Sequence, residues 1–185
     1  LTVDELRSPA HASRFRPLPR LPAIFGFASG THWLHWRVTN RDHPEPDWVV
    51  SVRYALLDNV DLTVVRSDGT VESWNSGDLV PFAQRAFPHR HPNFLVGFMR
   101  GDTADLYLRV HSQSSIQIPL EMSTSEAFLA SSTPEHLGLG FYYGIMLGLF
   151  FYNLILYAST GDRTFLYYVL YVGLFSAGQF ALNGL

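Results

Sequence analysis

Apolar residues are distributed along this chain in two different ways, and the change falls near residue 136. Between residues 31 and 120 they alternate with polar ones. In "WVVSVRY", Trp48, Val50, Val52 and Tyr54 share one parity and Val49, Ser51 and Arg53 the other; in "DLYLRVH", Leu106, Leu108 and Val110 alternate with Asp105, Tyr107, Arg109 and His111. A period of two sends these sets to opposite faces of a strand. "THWLHWRV", with Leu34, Trp36 and Val38 inward, "NVDLTVV", "PNFLVGF" and "SIQIPL" extend the pattern, and "RSDGT" at 66–70 puts Asp-Gly between two strand-like runs, a hairpin signal. The count, about seven short strands broken by Gly, Pro, Asp and Asn, predicts a mainly β domain over residues 1–130, an antiparallel β-sandwich or jelly roll. Ahead of it, "TVDELRSPAHASRF" reads as a short helix and "RPLPRLP" at 16–22 as an extended connection.

Beyond residue 136 the alternation stops. Leu137 to Gly161 is a run of 25 residues without a charge, and after Asp162 and Arg163 a second uncharged run covers the 22 residues from Thr164 to Leu185. At about 1.5 Å per residue each is long enough to cross a hydrocarbon core of roughly 30 Å. A soluble helical hairpin would need a polar stripe that neither run contains. The expected elements are therefore a first transmembrane helix over 137–160 and a second over 164–185. Gly140, Gly144 and Gly148 recur every four residues on one face of the first, where they would let a neighbouring helix approach, the second helix being one such neighbour. Asn153, Gln179 and Asn183 are polar groups within the spans and require partners, most simply interhelical hydrogen bonds. Arg163 in the connecting loop favours the cytoplasmic side, and Glu126 and Glu135 precede the first span without a nearby Lys or Arg, which leaves the amino domain outside the cytoplasm.

Charge sharpens this division. Of 16 acidic and 13 basic residues, only Asp162 and Arg163 lie beyond His136, so a mean hydropathy of +0.06 averages a polar domain with an almost uncharged tail. The near balance of charge gives no case for binding nucleic acid. There is no cysteine and no lysine, which removes disulfides, thiolate nucleophiles, Walker A loops and Schiff-base chemistry. The chain starts at Leu1 without a signal-peptide pattern and ends inside an apolar run, so it reads as a fragment of a longer protein.

Candidate chemistry is sparse. His89 and His91 flank Arg90 in "FPHRHP", a possible metal half-site, but no third ligand is evident and Arg90 would repel a cation, so no metal and no cofactor are expected. By parity Trp36 and Trp48 belong to the core, whereas Trp33 and Trp74 are expected to be exposed, and an exposed indole beside polar groups is a platform for a sugar ring. Trp33, Trp74 and Tyr107, with Arg85 and Arg90 for an acidic ligand, are the candidate ligand-binding residues. Rim packing and a protein interface are the plainer uses of the same side chains. A membrane-anchored glycan-processing enzyme would instead need two carboxylates in one cleft, drawn from Asp58, Asp61, Asp102 and Asp105. An assembly module would present a broad aromatic patch.

The order of motifs, from "FGFASGTHWLHWRVTN" through "WVVSVRYALLDNVDLTV", "SGDLVPFAQRAFPHRHPNFLV" and "DLYLRVHSQSSIQIPLEMSTSEAF" to the two apolar runs, resembles the bacterial seven-transmembrane receptors with diverse intracellular signalling modules, the 7TM-DISM group. The resemblance implies an extracytoplasmic jelly-roll sensor, similar to carbohydrate-binding modules, ahead of seven helices in the bacterial inner membrane. It further implies a periplasmic amino domain and a cytoplasmic output, a diguanylate cyclase or a histidine kinase, beyond the present chain. The expected role is sensing of a glycan, another small molecule or a partner sensor protein, with no catalytic residue in this chain.

Overall fold

The computed structural model describes residues 1–18, 22–28, 30–81, 84–85 and 87–183, so part of the proline-rich connection and the last two residues of the second apolar run lie outside the described residues. The chain divides into two compact units, Leu1–Ser125 and Glu126–Leu185.

The first unit opens with two short helices, α1 (Val3–Arg7) and α2 (Pro9–Ala12). Thr2 and Glu5 start α1 with a capping box, each side chain accepting from the other's backbone N–H at 3.3 and 2.8 Å. Nine strands follow among the described residues: β1 (Ala23–Gly26), β2 (Thr31–Thr39), β3 (Asp47–Val52), β4 (Asn59–Arg66), β5 (Val71–Ser76), β6 (Asn93–Gly97), β7 (Thr103–His111), β8 (Ile116–Ile118) and β9 (Leu120–Thr124). They pair antiparallel as a four-stranded sheet in the order β2-β7-β4-β5, a three-stranded sheet β6-β3-β9 and a two-stranded ribbon β1-β8.

The inner faces close a single core. Val60, Leu62 and Val64 of β4 and Leu106, Leu108 and Val110 of β7 meet Val50, Val52, Phe94 and Val96 of the opposing sheet, with Ile116 and Ile118 of β8 completing the cluster. Each of the fully buried valines, leucines and isoleucines here is worth roughly 1.5–3 kcal/mol. On β3 the parity reading holds for Val50 and Val52, but Val49 and Ser51 are buried too. β3 is the central strand of its sheet, and a strand covered on both faces loses the contrast that alternation relies on. The β4–β5 hairpin closes at "RSDGT" as its composition predicts, Gly69 donating to Arg66 O at 3.0 Å and Thr70 N–H to the Asp68 carboxylate at 2.8 Å.

The second unit holds α3 (Ser125–Thr160) and α4 (Arg163–Leu182), both long and apolar enough to span a membrane. α3 begins directly after β9, so "STPEH" at 132–136 is helical and not a loose link; Ser131, Ser132 and Thr133 turn their hydroxyls back onto the carbonyls of Phe128 and Leu129 around Pro134. Tyr143, Met146, Leu147 and Phe150 of α3 share a groove of about 420 Å³ with Val172, Gly173, Ser176 and Phe180 of α4. Gly173 is the glycine at this contact, its missing Cβ leaving room for Phe150. Gly140, Gly144 and Gly148 have no atom within 4 Å of where a Cβ would sit, so the glycine face expected against the second helix is turned away from α4. The aromatic and Met side chains that fill the observed contact lie on another stripe of α3. Asn153 is buried but donates within its own helix, to Leu149 O at 2.8 Å, while Asn183 reaches across to Tyr143 Oη at 3.1 Å.

Gly77, just after β5, has φ +131° and a Cβ there would lie 2.4 Å from the Asp58 carbonyl oxygen. Gly77→Ala is expected to destabilise the sandwich by upward of roughly 2 kcal/mol in chemical denaturation, whereas Gly97→Ala, in open space at the end of β6, stays within roughly 0.5 kcal/mol of the parent.

Candidate functional site

Strand pairing defines what lies on the outer face of the four-stranded sheet. Cross-strand partners share a face, so Trp33, Arg109, Asp61 and Asn75 form one row, His35, Tyr107, Thr63 and Ser73 the next, and Arg37, Asp105, Val65 and Val71 a third. The rows are stitched by side chains. Arg37 grips Asp105 through two hydrogen bonds of 3.0 and 2.8 Å, and His35 Nε2 lies 2.9 Å from the same carboxylate. Arg109 Nη1 donates to Asp61 Oδ2 at 2.7 Å, Asn75 Nδ2 donates to Asp61 Oδ1, and Thr63 and Ser73 hydroxyls are 3.1 Å apart. The hydrogen bond from Arg37, opposed by partial burial and aided by His35, holds the Asp105 carboxyl below its ordinary range. Every formal charge in these rows has an opposite partner, so the face is polar and close to neutral.

Two aromatic groups complete it. Tyr107 is only 6% exposed and stacks on His35 with centroids 4.6 Å apart; burial first, and Asp105 second, raise its hydroxyl pKa. The Phe15 ring lies 5.6 Å from the His35 ring and tilted to it. Trp33 is half-buried and borders an open groove of about 250 Å³ whose other walls come from the amino-terminal segment, among them Leu6, His11, Arg14 and Phe15. Thus the amino-terminal segment walls the groove at Trp33, and Trp33 keeps partial exposure there.

The five candidate ligand residues separate. Trp33 and Tyr107 share this face. Trp74 does not: it pairs with Leu62 and packs against the core, half-buried where exposure was expected. The cause is register, since β5 pairs so that its even positions face inward beside the even positions of β4. Arg85 and Arg90 lie in the loop between β5 and β6; Arg85 donates to the carbonyls of His89, Arg90 and Gly77 at 2.9, 3.0 and 3.1 Å, and burial lowers its pKa. Its guanidinium therefore organises the loop. His35, Arg37, Asn75 and Arg109 were not singled out from sequence, and Asp61 and Asp105 entered only as candidate carboxylates, although the alternation in "THWLHWRV" and "DLYLRVH" places His35, Arg37, Asp105 and Arg109 on one parity. What that alternation lacks is the pairing that brings β4 and β5 alongside.

The two candidate carboxylates on the outer face are not spaced as a hydrolytic pair. Asp58 accepts from Gln113 N at 2.8 Å at one end of the sheet, and Asp102 accepts from Met99 N at 2.8 Å at the other. Asp61 and Asp105 lie on one face, but Asp61 pairs with Arg109 and Val65 with Asp105, a separation of four residues. At about 3.3 Å per residue that is roughly 13 Å, beyond the roughly 5–9.5 Å of glycosidase pairs.

In the same loop His89 and His91 have ring centroids 5.0 Å apart, and His91 is 7% exposed. Burial, followed by Arg90, His89, Arg53 and Arg85, pushes the His91 pKa from 6.5 to about 3. The unfolded chain binds a proton here below pH 6.5 and the folded one does not until about pH 3, so stability declines as pH falls through that window. Between pH 7 and pH 5 the loss from this group is expected to approach roughly 2 kcal/mol, and His91→Asn removes that part of the slope in urea titrations at the two pH values.

Comparison with known families agrees with the architecture. Residues 1–124 match the model described as 7TMR-DISM extracellular 2, and residues 135–185 match 7TM diverse intracellular signalling. No curated protein matches the chain. The first model covers the β-sandwich and the second the apolar helices, and neither describes a catalytic module. The chain thus belongs to the 7TMR-DISM family: it carries the extracellular sensor domain and part of the transmembrane region of a signalling receptor.

Proposed function

We propose that the sandwich senses a neutral polyhydroxylated ligand, a glycan or a fragment of one, on the Trp33 side of the outer sheet face, and that α3 carries the consequence into the membrane. The observation that supports this reading is the half-buried Trp33 indole bordering an open groove, beside a row of side chains whose charges already cancel in pairs. A planar apolar surface takes the C–H face of a sugar ring, and paired carboxylates, amides and guanidinium groups retain donors and acceptors for hydroxyls. A charged ligand would have to break Arg109–Asp61 or Arg37–Asp105 first. The sandwich would then face the periplasm, the helices would cross a bacterial inner membrane, and a cytoplasmic diguanylate cyclase or histidine kinase would read the result. Residues 1–130 would be the sensor, 137–160 and 164–185 the first two membrane helices, and Gly140, Gly144 and Gly148 the seat of a further helix.

A ligand shifts a receptor only if it binds its two arrangements unequally. The direct succession of β9 by α3 supports transmission along the chain, because a helix transmits displacement where a loop would absorb it. Inserting a flexible Gly-Ser segment between Ser131 and Glu135 is expected to abolish the ligand response of the receptor, with membrane insertion retained; a response of unchanged size would refute the relay.

For the site itself, the chain in lipid nanodiscs is screened by thermal shift against a glycan panel. Trp33→Ala is expected to abolish the shift while changing basal stability by less than about 1 kcal/mol, and Trp74→Ala to lower basal stability by roughly 2 kcal/mol or more. Retention of the shift in Trp33→Ala would overturn the assignment.

A further inference from the structure

At the end of the sandwich where β2 leaves one sheet and β3 enters the other, the connecting turn roofs a recess of about 310 Å³. Its floor is apolar, made by Val38, Trp48, Phe98 and Met122, and its rim carries Arg41 and His43. This recess is separate from the outer sheet face, since Val38 has the inward parity of β2 and Phe98 is completely buried.

The rim is held in place before any ligand arrives. Asn40 is 5% exposed and fastens the turn from within: its Nδ2 donates to Phe98 O at 3.0 Å and His43 O at 3.2 Å, and its Oδ1 accepts from His43 N–H at 2.9 Å. Its own N–H donates to Asp102 O at 2.9 Å and its carbonyl accepts from Gly101 at 2.7 Å. Trp48 is fixed as well, its Nε1–H donating to Glu45 O at 3.2 Å with the His43 ring edge-on at 5.0 Å.

The charge left over at this rim has one sign. Asp42 is the acid that lines the recess, and Arg100 neutralises it at 2.5 Å. His43 Nδ1 accepts the Glu45 N–H at 3.2 Å, which requires the proton of a neutral ring to sit on Nε2. His43 Nε2 is therefore a donor in either charge state. The exposed Arg41 guanidinium has no hydrogen bond or ion pair among the described residues. Two donors, one of them a permanent cation, stand over an apolar floor with no uncompensated carboxylate lining it.

We propose that this recess is a second ligand site, specific for a small monocarboxylic acid with an apolar body, whose carboxylate meets Arg41 and His43 and whose body lies on Trp48 and Met122. An Arg guanidinium suits a carboxylate because its planar fork can donate two parallel bonds. The volume sits near the lower end of the roughly 300–1,000 Å³ typical of small-molecule sites, which restricts the acid to a small ring or short branched chain. The assignment does not depend on a glycan binding at Trp33.

The test uses the whole chain in nanodiscs and isothermal titration with phenylacetate, its neutral isostere phenylacetamide, and the variants Arg41→Gln and Trp33→Ala. Phenylacetate is expected to bind saturably and at least about tenfold more tightly than the amide, Arg41→Gln to erase that difference, and Trp33→Ala to leave it intact. Equal binding of acid and amide, unchanged selectivity in Arg41→Gln, or no saturable binding up to about 10 mM would each overturn the proposal. Loss of selectivity in Trp33→Ala would also overturn it, by placing the acid on the outer face.

Discussion

β7 runs between β2 and β4 in the middle of the four-stranded sheet, and its alternation is the constraint from which the rest of the sensor domain follows. Ala104, Leu106, Leu108 and Val110 are buried on its inner side, and Thr103, Asp105, Tyr107, Arg109 and His111 occupy its outer side. A slip of one residue would exchange the two sets, placing Asp105 and Arg109 in the core and Leu106 and Leu108 outside, so burial of the inner set holds the register. The outer network inherits that register. Arg109 reaches Asp61 and Asp105 reaches Arg37 because the core has already set which residues stand opposite, and these exposed pairs themselves contribute little stability. Polar organisation on the outer face is thus a by-product of hydrophobic selection on the inner one, which leaves the outer residues free to be chosen for recognition.

The membrane unit obeys a different rule. In hydrocarbon, apolar side chains give no preference for facing another helix over facing lipid, so contact is decided by fit and by the few polar groups. Tyr143 meets Phe180 with centroids 5.8 Å apart and accepts from Asn183, while Gly173 makes room for Phe150. Asn153 closes a bond on its own turn, which satisfies it without a partner helix. The glycine row on α3 takes no part in this pair, consistent with a helix that belongs to a larger transmembrane domain of the kind matched by residues 135–185.

The two sites proposed within the sandwich differ in chemistry. The outer face at Trp33 is a near-neutral mosaic in which charges are paired, and the proposed glycan site rests on that. The recess beneath the β2–β3 turn is apolar with Arg41 and His43 in its lining, and the proposed acid site rests on those. The loop between β5 and β6 is organised differently again, with Arg85 spent on backbone carbonyls and His91 held neutral, and its contribution is to the stability of the domain and to the pH range over which it persists.

What was legible in the sequence was whatever depends on periodicity and length. Alternation at 31–39 and 103–111 identified β2 and β7 and the inward residues of both, and the two uncharged runs announced helices able to span a membrane, because burial in a sheet and burial in lipid each leave a local signature. The Asp-Gly hairpin was legible for the same reason, being a contact between neighbours in sequence. Trp74 shows where that reading stops: its parity had meaning only once β5 was paired to β4, and pairing placed it on the core. The same holds for Asp61 beside Arg109, for Arg41 and His43 over Trp48 and Met122, and for the glycine row turned away from α4. These are contacts between residues tens of positions apart, set by strand order and helix packing, and only the tertiary structure decides them.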